Sequence, residues 1–312
     1  MSGTAATVFG LDVHVDRPLA FLETARAQPT GRRVEISISI DTEELGGEGE
    51  GELISDQRHP DGTVNFQIQR GEDGYLIWGP EYGASVLSGD GGRIRGAPGS
   101  GGMEAWQRML IAQALPFAAV LRGLEVLHAS AVATNDGAVA LAGRSGAGKT
   151  SVALALSRRG ASFLADDVLA LERVGGELIV HPGTPVAGVD RAEAARLDRR
   201  NDGGGIEVIS LNSREQIARV PTYGEPIQLR ALFFLERSAD GPDEPCFEPA
   251  ADAQMLLAAT FNLVLADPGR LAGLLDVCAL IARSRVERIL AGPEVDATEL
   301  GAAVERRIGE GP

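Results

Sequence analysis

Residues 143–150 read Gly-Arg-Ser-Gly-Ala-Gly-Lys-Thr, which fits the pattern Gly-x-x-x-x-Gly-Lys-Ser/Thr of a phosphate-binding loop. Of the 29 Lys and Arg residues in the chain, only Lys149 is a lysine. Its compact ammonium reaches the β- and γ-phosphates of a nucleotide in a way that a broad, planar guanidinium does not. This stretch therefore predicts a site for a nucleoside triphosphate.

The segments on either side of this loop predict a strand and a helix. Residues 137–142 form a short apolar run typical of a buried parallel strand. After the loop the composition is helical up to Gly160, which suits the end of a helix. Strand, loop and helix in this order direct backbone N–H groups and the positive end of the helix at phosphate. We expect the Thr150 hydroxyl to bind Mg²⁺, and the predicted nucleotide-binding residues are Gly143, Arg144, Ser145, Gly146, Ala147, Gly148, Lys149, Thr150 and Ser151.

Composition limits the class of protein. A length of 312 residues suggests two domains, and a net charge of −15 argues against nucleic acid or an anionic membrane as partner. Cys246 and Cys278 are too few and too far apart for a disulfide framework or a metal cage. The sequence shows no long apolar stretch, and its first residues lack a basic region, so we expect a cytoplasmic protein.

The chain before the loop predicts a small, mainly antiparallel β domain over residues 1–87. Val34, Ile36, Ile38 and Ile40 alternate with polar residues, as in a sheet with one wet face. Because an open edge of such a sheet takes up extended peptides, we expect this domain to bind a substrate or partner. The acidic, glycine-rich stretch 41–52 is expected to be a solvated loop rather than a metal site.

Three further segments complete the predicted organisation. Residues 88–103 are rich in glycine and read as a linker, and residues 104–122 as a connecting helix with a kink at Pro116. The P-loop domain then covers residues 123–312. Within it we expect a buried strand over residues 229–235 and a C-terminal amphipathic helix, whose apolar stripe is Leu271, Leu274, Leu275, Cys278 and Ile281.

Two adjacent carboxylates follow the loop closely. Asp166 and Asp167 lie 17 and 18 residues after Lys149 in an otherwise apolar stretch. Burying both is costly unless a cation such as Mg²⁺ compensates them. A P-loop kinase needs one carboxylate for the metal and one to accept the proton of the attacking hydroxyl. The alternative is a surface turn between two short strands.

These motifs together resemble the catalytic domain of HPr kinase/phosphorylase, and more closely the HPr-kinase-like proteins of peptide-modifying bacterial gene clusters. The resemblance rests on four stretches in the same order over about 45 residues: 127–132 (Leu-His-Ala-Ser-Ala-Val), the loop 143–150, Arg159-Gly160 and 164–167 (Leu-Ala-Asp-Asp). It implies an α/β, phosphoenolpyruvate-carboxykinase-like P-loop fold and phosphoryl transfer to a serine hydroxyl.

The resemblance also implies roles for individual residues. One of Asp166 and Asp167 would be the general base and the other would help to hold the metal; we favour Asp167 as base and Asp166, with Thr150, as metal ligand. His128 matches a family histidine near the phosphates, and its alternative is a structural histidine at the start of a strand. Ser151 stands where HPr kinases usually have Glu, and their later Arg-Gly-x-Gly signature has no counterpart here. Both departures argue against HPr as substrate and against phosphorolysis.

The leading hypothesis is therefore a kinase that uses ATP, or GTP as an alternative, with Mg²⁺ to phosphorylate a hydroxyl, most simply a serine of a peptide or small protein. A second hypothesis changes the acceptor to a small hydroxylated metabolite or sugar. A third is a nucleotide-dependent interaction protein without catalysis. Self-association into a homo-oligomer stays open.

Overall fold

The computed structural model describes residues 4–23, 25, 28–39, 51–199, 205–211, 216–250, 253–261 and 268–310. The chain is mixed α/β and divides into two compact units, Met1–Leu124 and Glu125–Pro312. Among the described residues, no helix is both long enough and apolar enough to cross a bilayer.

The first unit contains an eight-stranded sheet with the order β1-β2-β3-β8-β7-β6-β5-β4. Only the pairs β2–β3 and β3–β8 are parallel among its described strands, so the sheet is mainly antiparallel as expected. In β3, Val34, Ile36 and Ile38 are buried between exposed residues, whereas Ile40 and most of 41–52 lie outside the described residues. The strands are β1 (Thr4–Val8), β2 (Leu11–Val15), β3 (Arg33–Ile38), β4 (Glu52–Arg58), β5 (Val64–Arg70), β6 (Gly74–Gly79), β7 (Gly83–Ser88) and β8 (Arg93–Pro98).

The interpretation of residues 88–103 as a linker is wrong, because β8 runs through them and pairs with β3 and β7. Gly96 lies inside this strand for a packing reason. A Cβ at Gly96 would lie 2.0 Å from the indole ring of Trp106, whose Nε1 donates to the carbonyl of Ala84 at 3.0 Å. At Gly96, the absence of a side chain therefore leaves space for the buried indole ring of Trp106.

The predicted helix at 104–122 forms, but it packs on this sheet and belongs to the first unit. It consists of α1 (Gly102–Met109), a π-helical turn (Leu110–Ala114) and α2 (Leu115–Leu121). Pro116 lies in the first turn of α2, directly after the π turn, where the chain can accommodate a missing N–H.

The second unit contains a nine-stranded mixed sheet whose main order is β12-β10-β11-β18-β14-β13-β9, with β20 pairing to β18 and β19 to β20. The strand before the loop, β11, runs antiparallel to β10 and parallel to β18. The strands of this sheet are β9 (Glu125–Leu127), β10 (Ala129–Thr134), β11 (Gly137–Ala142), β12 (Ser162–Ala165), β13 (Leu169–Val174), β14 (Glu177–His181), β18 (Ile227–Arg237), β19 (Cys246–Pro249) and β20 (Arg285–Ala291).

The described residues of the second unit also form a smaller sheet and five helices. The small sheet has the order β15-β17-β16. Its strands are β15 (Val186–Val189), β16 (Glu207–Leu211) and β17 (Gln216–Arg219), and the helices are α3 (Lys149–Arg158), α4 (Arg191–Arg199), α5 (Ala253–Ala258), α6 (Pro268–Ile281) and α7 (Ala297–Gly309).

Both faces of β11 are covered, and this fixes the position of the loop that follows it. Ala138, Ala140 and Ala142 pack in one apolar cluster, and Val139 and Leu141 in another on the opposite face. All six residues of β11 are buried. The prediction of α6 is correct as a helix, but its apolar stripe is partly wrong. Leu274, Cys278 and Ile281 are buried, whereas Leu271 and Leu275 are exposed.

Candidate functional site

The predicted phosphate-binding loop leaves the end of β11 and enters α3, so the order strand, loop and helix agrees with the sequence prediction. Gly143 and Gly146 have φ values of 144° and 79°, and Gly148, which caps α3, has a left-handed conformation with φ 97°. Side chains are disfavoured in such conformations. At Gly143 there is also no space, since a Cβ would lie 2.6 Å from the carbonyl oxygen of Leu235 in β18. The structure therefore places a tight glycine-rich turn between the end of β11 and the N-terminus of α3, the geometry that the predicted phosphate site requires.

Lys149 is buried at 5% exposure and folds back over the loop. Its Nζ donates to the carbonyl oxygens of Gly143 at 3.1 Å and Arg144 at 3.4 Å. The ammonium is therefore fixed by the backbone of the loop. Arg144, Ser145 and Gly146 at the tip of the loop are exposed.

Asp166 directly follows β12, and its buried carboxylate accepts three hydrogen bonds. Oδ1 accepts from the hydroxyls of Thr150 and Ser130, both at 2.7 Å, and Oδ2 accepts from the amide of Gly188 at 2.9 Å. Desolvation and the neighbouring charge of Asp167 raise the pKa of Asp166 to about 6, while the three hydrogen bonds oppose this shift. The hydroxyl of the loop threonine and the first carboxylate thus lie together.

Asp167 differs from its neighbour in both environment and backbone. It is exposed and has a φ of 57°, a conformation that Asp tolerates better than most residues. The turn closes with a 2.6 Å hydrogen bond from the amide of Val168 to the carbonyl of Asp166. The two consecutive aspartates consequently differ in environment, because Asp166 is buried against Thr150 and Asp167 is exposed to solvent.

His128 lies close enough to Lys149 and Asp167 for their charges to act on its ring. The pKa of His128 is lowered, mainly by desolvation and then by the charge of Lys149. The charge and the backbone carbonyl of Asp167 oppose this shift. Its own amide donates to the carbonyl of Ala259 at 2.6 Å. The histidine therefore belongs to the same cluster as the loop and the carboxylates.

A cavity of about 1080 Å³ lies beside the loop. Its walls are His128, the loop residues 143–147, the ends of β18 and β20, the segment 240–242 and part of α5. This volume slightly exceeds the upper limit, about 1,000 Å³, of typical pockets for small organic ligands. Arg237, the last residue of β18, lines it too.

The donor set fits Mg²⁺ that is held jointly with phosphate. Mg²⁺ takes oxygen ligands and is commonly bound by one or two carboxylates together with substrate phosphates and water. Thr150 and Asp166 supply a hydroxyl and a carboxylate at the start of α3. Across the residues that the structure describes, no group of three or more His, Cys, Asp or Glu side chains could enclose a metal ion. A cation at this site would depend on a bound nucleotide for its remaining ligands.

Not every residue singled out from the sequence has a contact here. Ser151 lies in the first turn of α3 without a described side-chain hydrogen bond. Ser130, Gly188 and Arg237 were not predicted. A polar residue inside the apolar run 129–133 was an available signal for Ser130, whereas nothing local marks the backbone amide of Gly188.

No family model matches the chain, and no curated protein sequence matches it. Among solved structures, the chain is similar to the HPr(Ser) kinase/phosphatase from Coxiella burnetii, with 17% identity and a TM-score of 0.32. The alignment covers 60% of this chain and 99% of that chain. These values are too low for the activity of that protein to be transferred to this chain.

Proposed function

We propose that this protein is an ATP- and Mg²⁺-dependent phosphotransferase whose acceptor is a hydroxyl, most simply a serine of a peptide or small protein. The observation that carries the proposal is the 2.7 Å contact between Thr150 and Asp166 at the phosphate-binding loop, with the exposed Asp167 beside it. A protein that only binds nucleotide does not need a second, accessible carboxylate at this position. The resemblance of the sequence motifs to HPr-kinase-like proteins supports the same activity and the phosphoenolpyruvate-carboxykinase-like fold.

Each residue of the cluster has a role in this reaction. The loop amides and the Lys149 ammonium bind and orient the β- and γ-phosphates, and Thr150 and Asp166 hold the metal. When bound, Mg²⁺ neutralises phosphate charge. The acceptor oxygen forms a bond to the γ-phosphorus as the bond to the ADP oxygen breaks, and Asp167 takes the hydroxyl proton. His128 lies close to both Lys149 and Asp167, so its ring is positioned beside the general base at the reacting end.

Two measurements test this function separately. Calorimetric titration of ATP should show binding to the wild-type protein and its loss in Lys149→Ala, which removes the only lysine at the phosphates. Phosphoryl transfer from ATP to a library of serine-containing peptides, read by mass spectrometry, should then fall by about 10²–10⁴-fold in Asp167→Asn, the usual contribution of a general base.

The matched control is Asp136→Asn, since Asp136 is an exposed aspartate in the turn between β10 and β11, at the end of β11 opposite the loop. It should keep both ATP binding and transfer. Full ATP affinity in Lys149→Ala would overturn the nucleotide site. Equal transfer rates in Asp167→Asn and Asp136→Asn would overturn Asp167 as base.

A further inference from the structure

Arg237 lies on the side of the phosphate-binding loop opposite to Asp166. Strand β18 runs parallel to β11, with Ala142 opposite Phe234, so the carboxyl ends of both strands meet at one edge of the sheet. Nη1 of Arg237 is 3.9 Å from the point where a Cβ of Gly148 would lie. The guanidinium therefore adjoins the residue that caps α3, where phosphate-binding amides begin.

The guanidinium is held from one side only. Nη2 donates to the carbonyl oxygens of Gly292 at 3.4 Å, Pro293 at 3.3 Å and Val295, all between β20 and α7. Within the described residues Nη1 makes no hydrogen bond, and Arg237 is exposed in the wall of the 1080 Å³ cavity. An arginine fixed through one nitrogen and open at the other is preorganised to bind an anion.

The charge of Arg237 is also uncompensated. In the part of the chain that the structure describes, Arg237 forms no ion pair. The neighbouring Glu236 does not pair with it, because its carboxylate lies 3.8 Å from the guanidinium of Arg288 instead. The chain carries a net charge of −15, and Glu236 and Asp240 line the same cavity. Arg237 would add charge-assisted hydrogen bonds to a nucleotide polyphosphate from the β18 side of the loop.

From this geometry we propose that Arg237 contacts the nucleotide phosphates that ATP and ADP share, opposite the Thr150–Asp166 pair. The inference rests on the proposed function, because it places the same nucleotide on the same loop. Thr150 and Asp166 mark the reacting end on the β12 side of the loop. Arg237 reaches the phosphates from the β18 side, next to the cavity that has room for the nucleoside. It thus serves affinity for product as well as for substrate.

The test compares Arg237→Gln with a control arginine of the same sheet. Arg173→Gln removes an arginine of β13 that pairs with Asp276 and does not line the cavity. Calorimetry should show ATP and ADP binding about 10–100-fold weaker in Arg237→Gln, since charge-assisted hydrogen bonds are lost, and unchanged in Arg173→Gln. Urea unfolding without nucleotide should show one cooperative transition in both variants, so that weaker binding is not the result of unfolding.

Unchanged affinity for both nucleotides in Arg237→Gln would overturn the inference, as would a loss confined to ATP, which would place the contact at the γ-phosphate. If Arg237→Gln does not fold, Arg237→Lys keeps the charge but cannot bridge carbonyls and phosphate together. ADP affinity equal to wild type in Arg237→Lys would then overturn it. The proposed function fails differently, through wild-type protein that does not bind ATP.

Discussion

Gly143→Ala should destabilise the protein more than the same substitution three residues later. An alanine at Gly143 would keep a φ of 144° and place its Cβ 2.6 Å from the Leu235 carbonyl oxygen. A side chain in such a sparsely populated backbone conformation costs about 1–3 kcal/mol, and overpacking against a buried strand costs about 1–3 kcal/mol more. We expect a total loss of about 2–6 kcal/mol in the free energy of unfolding.

Gly146→Ala is the matched control. Gly146 also has a positive φ, 79°, but no described atom lies within 4 Å of its added Cβ. It should therefore lose only the conformational part, about 1–3 kcal/mol. The difference between the two variants isolates the contact between the loop and β18.

The assay is urea unfolding of wild type, Gly143→Ala and Gly146→Ala in the absence of nucleotide, followed by circular dichroism. The slopes of the transitions should agree, so that midpoints report stability directly. Equal losses in the two variants would refute the reasoning, because the loop would then not be seated against the Leu235 carbonyl.

Three other outcomes follow from the site. The pKa of Asp166 is raised to about 6 in the folded protein, whereas an aspartate of the unfolded chain has a pKa near 4. Between these two pH values the folded protein therefore binds a proton that the unfolded chain does not. Because of this group, the free energy of unfolding should rise by about 2–3 kcal/mol as the pH falls from 7 to 4. Urea titrations at several pH values should show that rise missing in Asp166→Asn, and an identical pH profile would contradict the shift. Lys149→Arg should bind ATP about 10–100-fold more weakly by calorimetry, because a larger group enters a site that is 5% exposed; wild-type affinity would show that the ammonium is not required. Residues 125–312 produced alone should bind ATP like the full chain and lose peptide phosphorylation; transfer at the full rate would remove the first unit from acceptor recognition.

The parts of the site that were predictable are those whose chemistry is local in sequence. The glycines of residues 143–148 predict the loop because its backbone conformation disfavours side chains. The two adjacent aspartates predict a site at which their negative charge is compensated. Ser130 and Gly188 donate hydrogen bonds to the Asp166 carboxylate from two other strands. The local sequence of neither strand predicts how it aligns with Asp166. Arg237 looks like any of the chain's arginines until β18 is placed beside β11.

The prediction errors in the fold have the same origin. The glycine content of 88–103 outweighed the short strand pattern around Ile94, and only the position of Trp106 explains why Gly96 suits a strand. In α6, composition could not distinguish the buried Leu274 from the exposed Leu271 and Leu275. All three are leucines, and the sequence does not show which side of the helix packs against the sheet.

The two halves of the candidate site rest on strands with different numbers of paired neighbours. Strand β11, which carries the phosphate loop, is paired on both sides, by β10 and β18. Strand β12, which carries the aspartates, ends its sheet; beyond its pairing with β10 it accepts backbone hydrogen bonds from Gly183 and Tyr223. Amide hydrogen exchange at β11 should therefore require global unfolding, whereas β12 should exchange through smaller local openings. A ligand on the loop would therefore lie on the better-protected strand, and a ligand beside Asp167 on the less protected one.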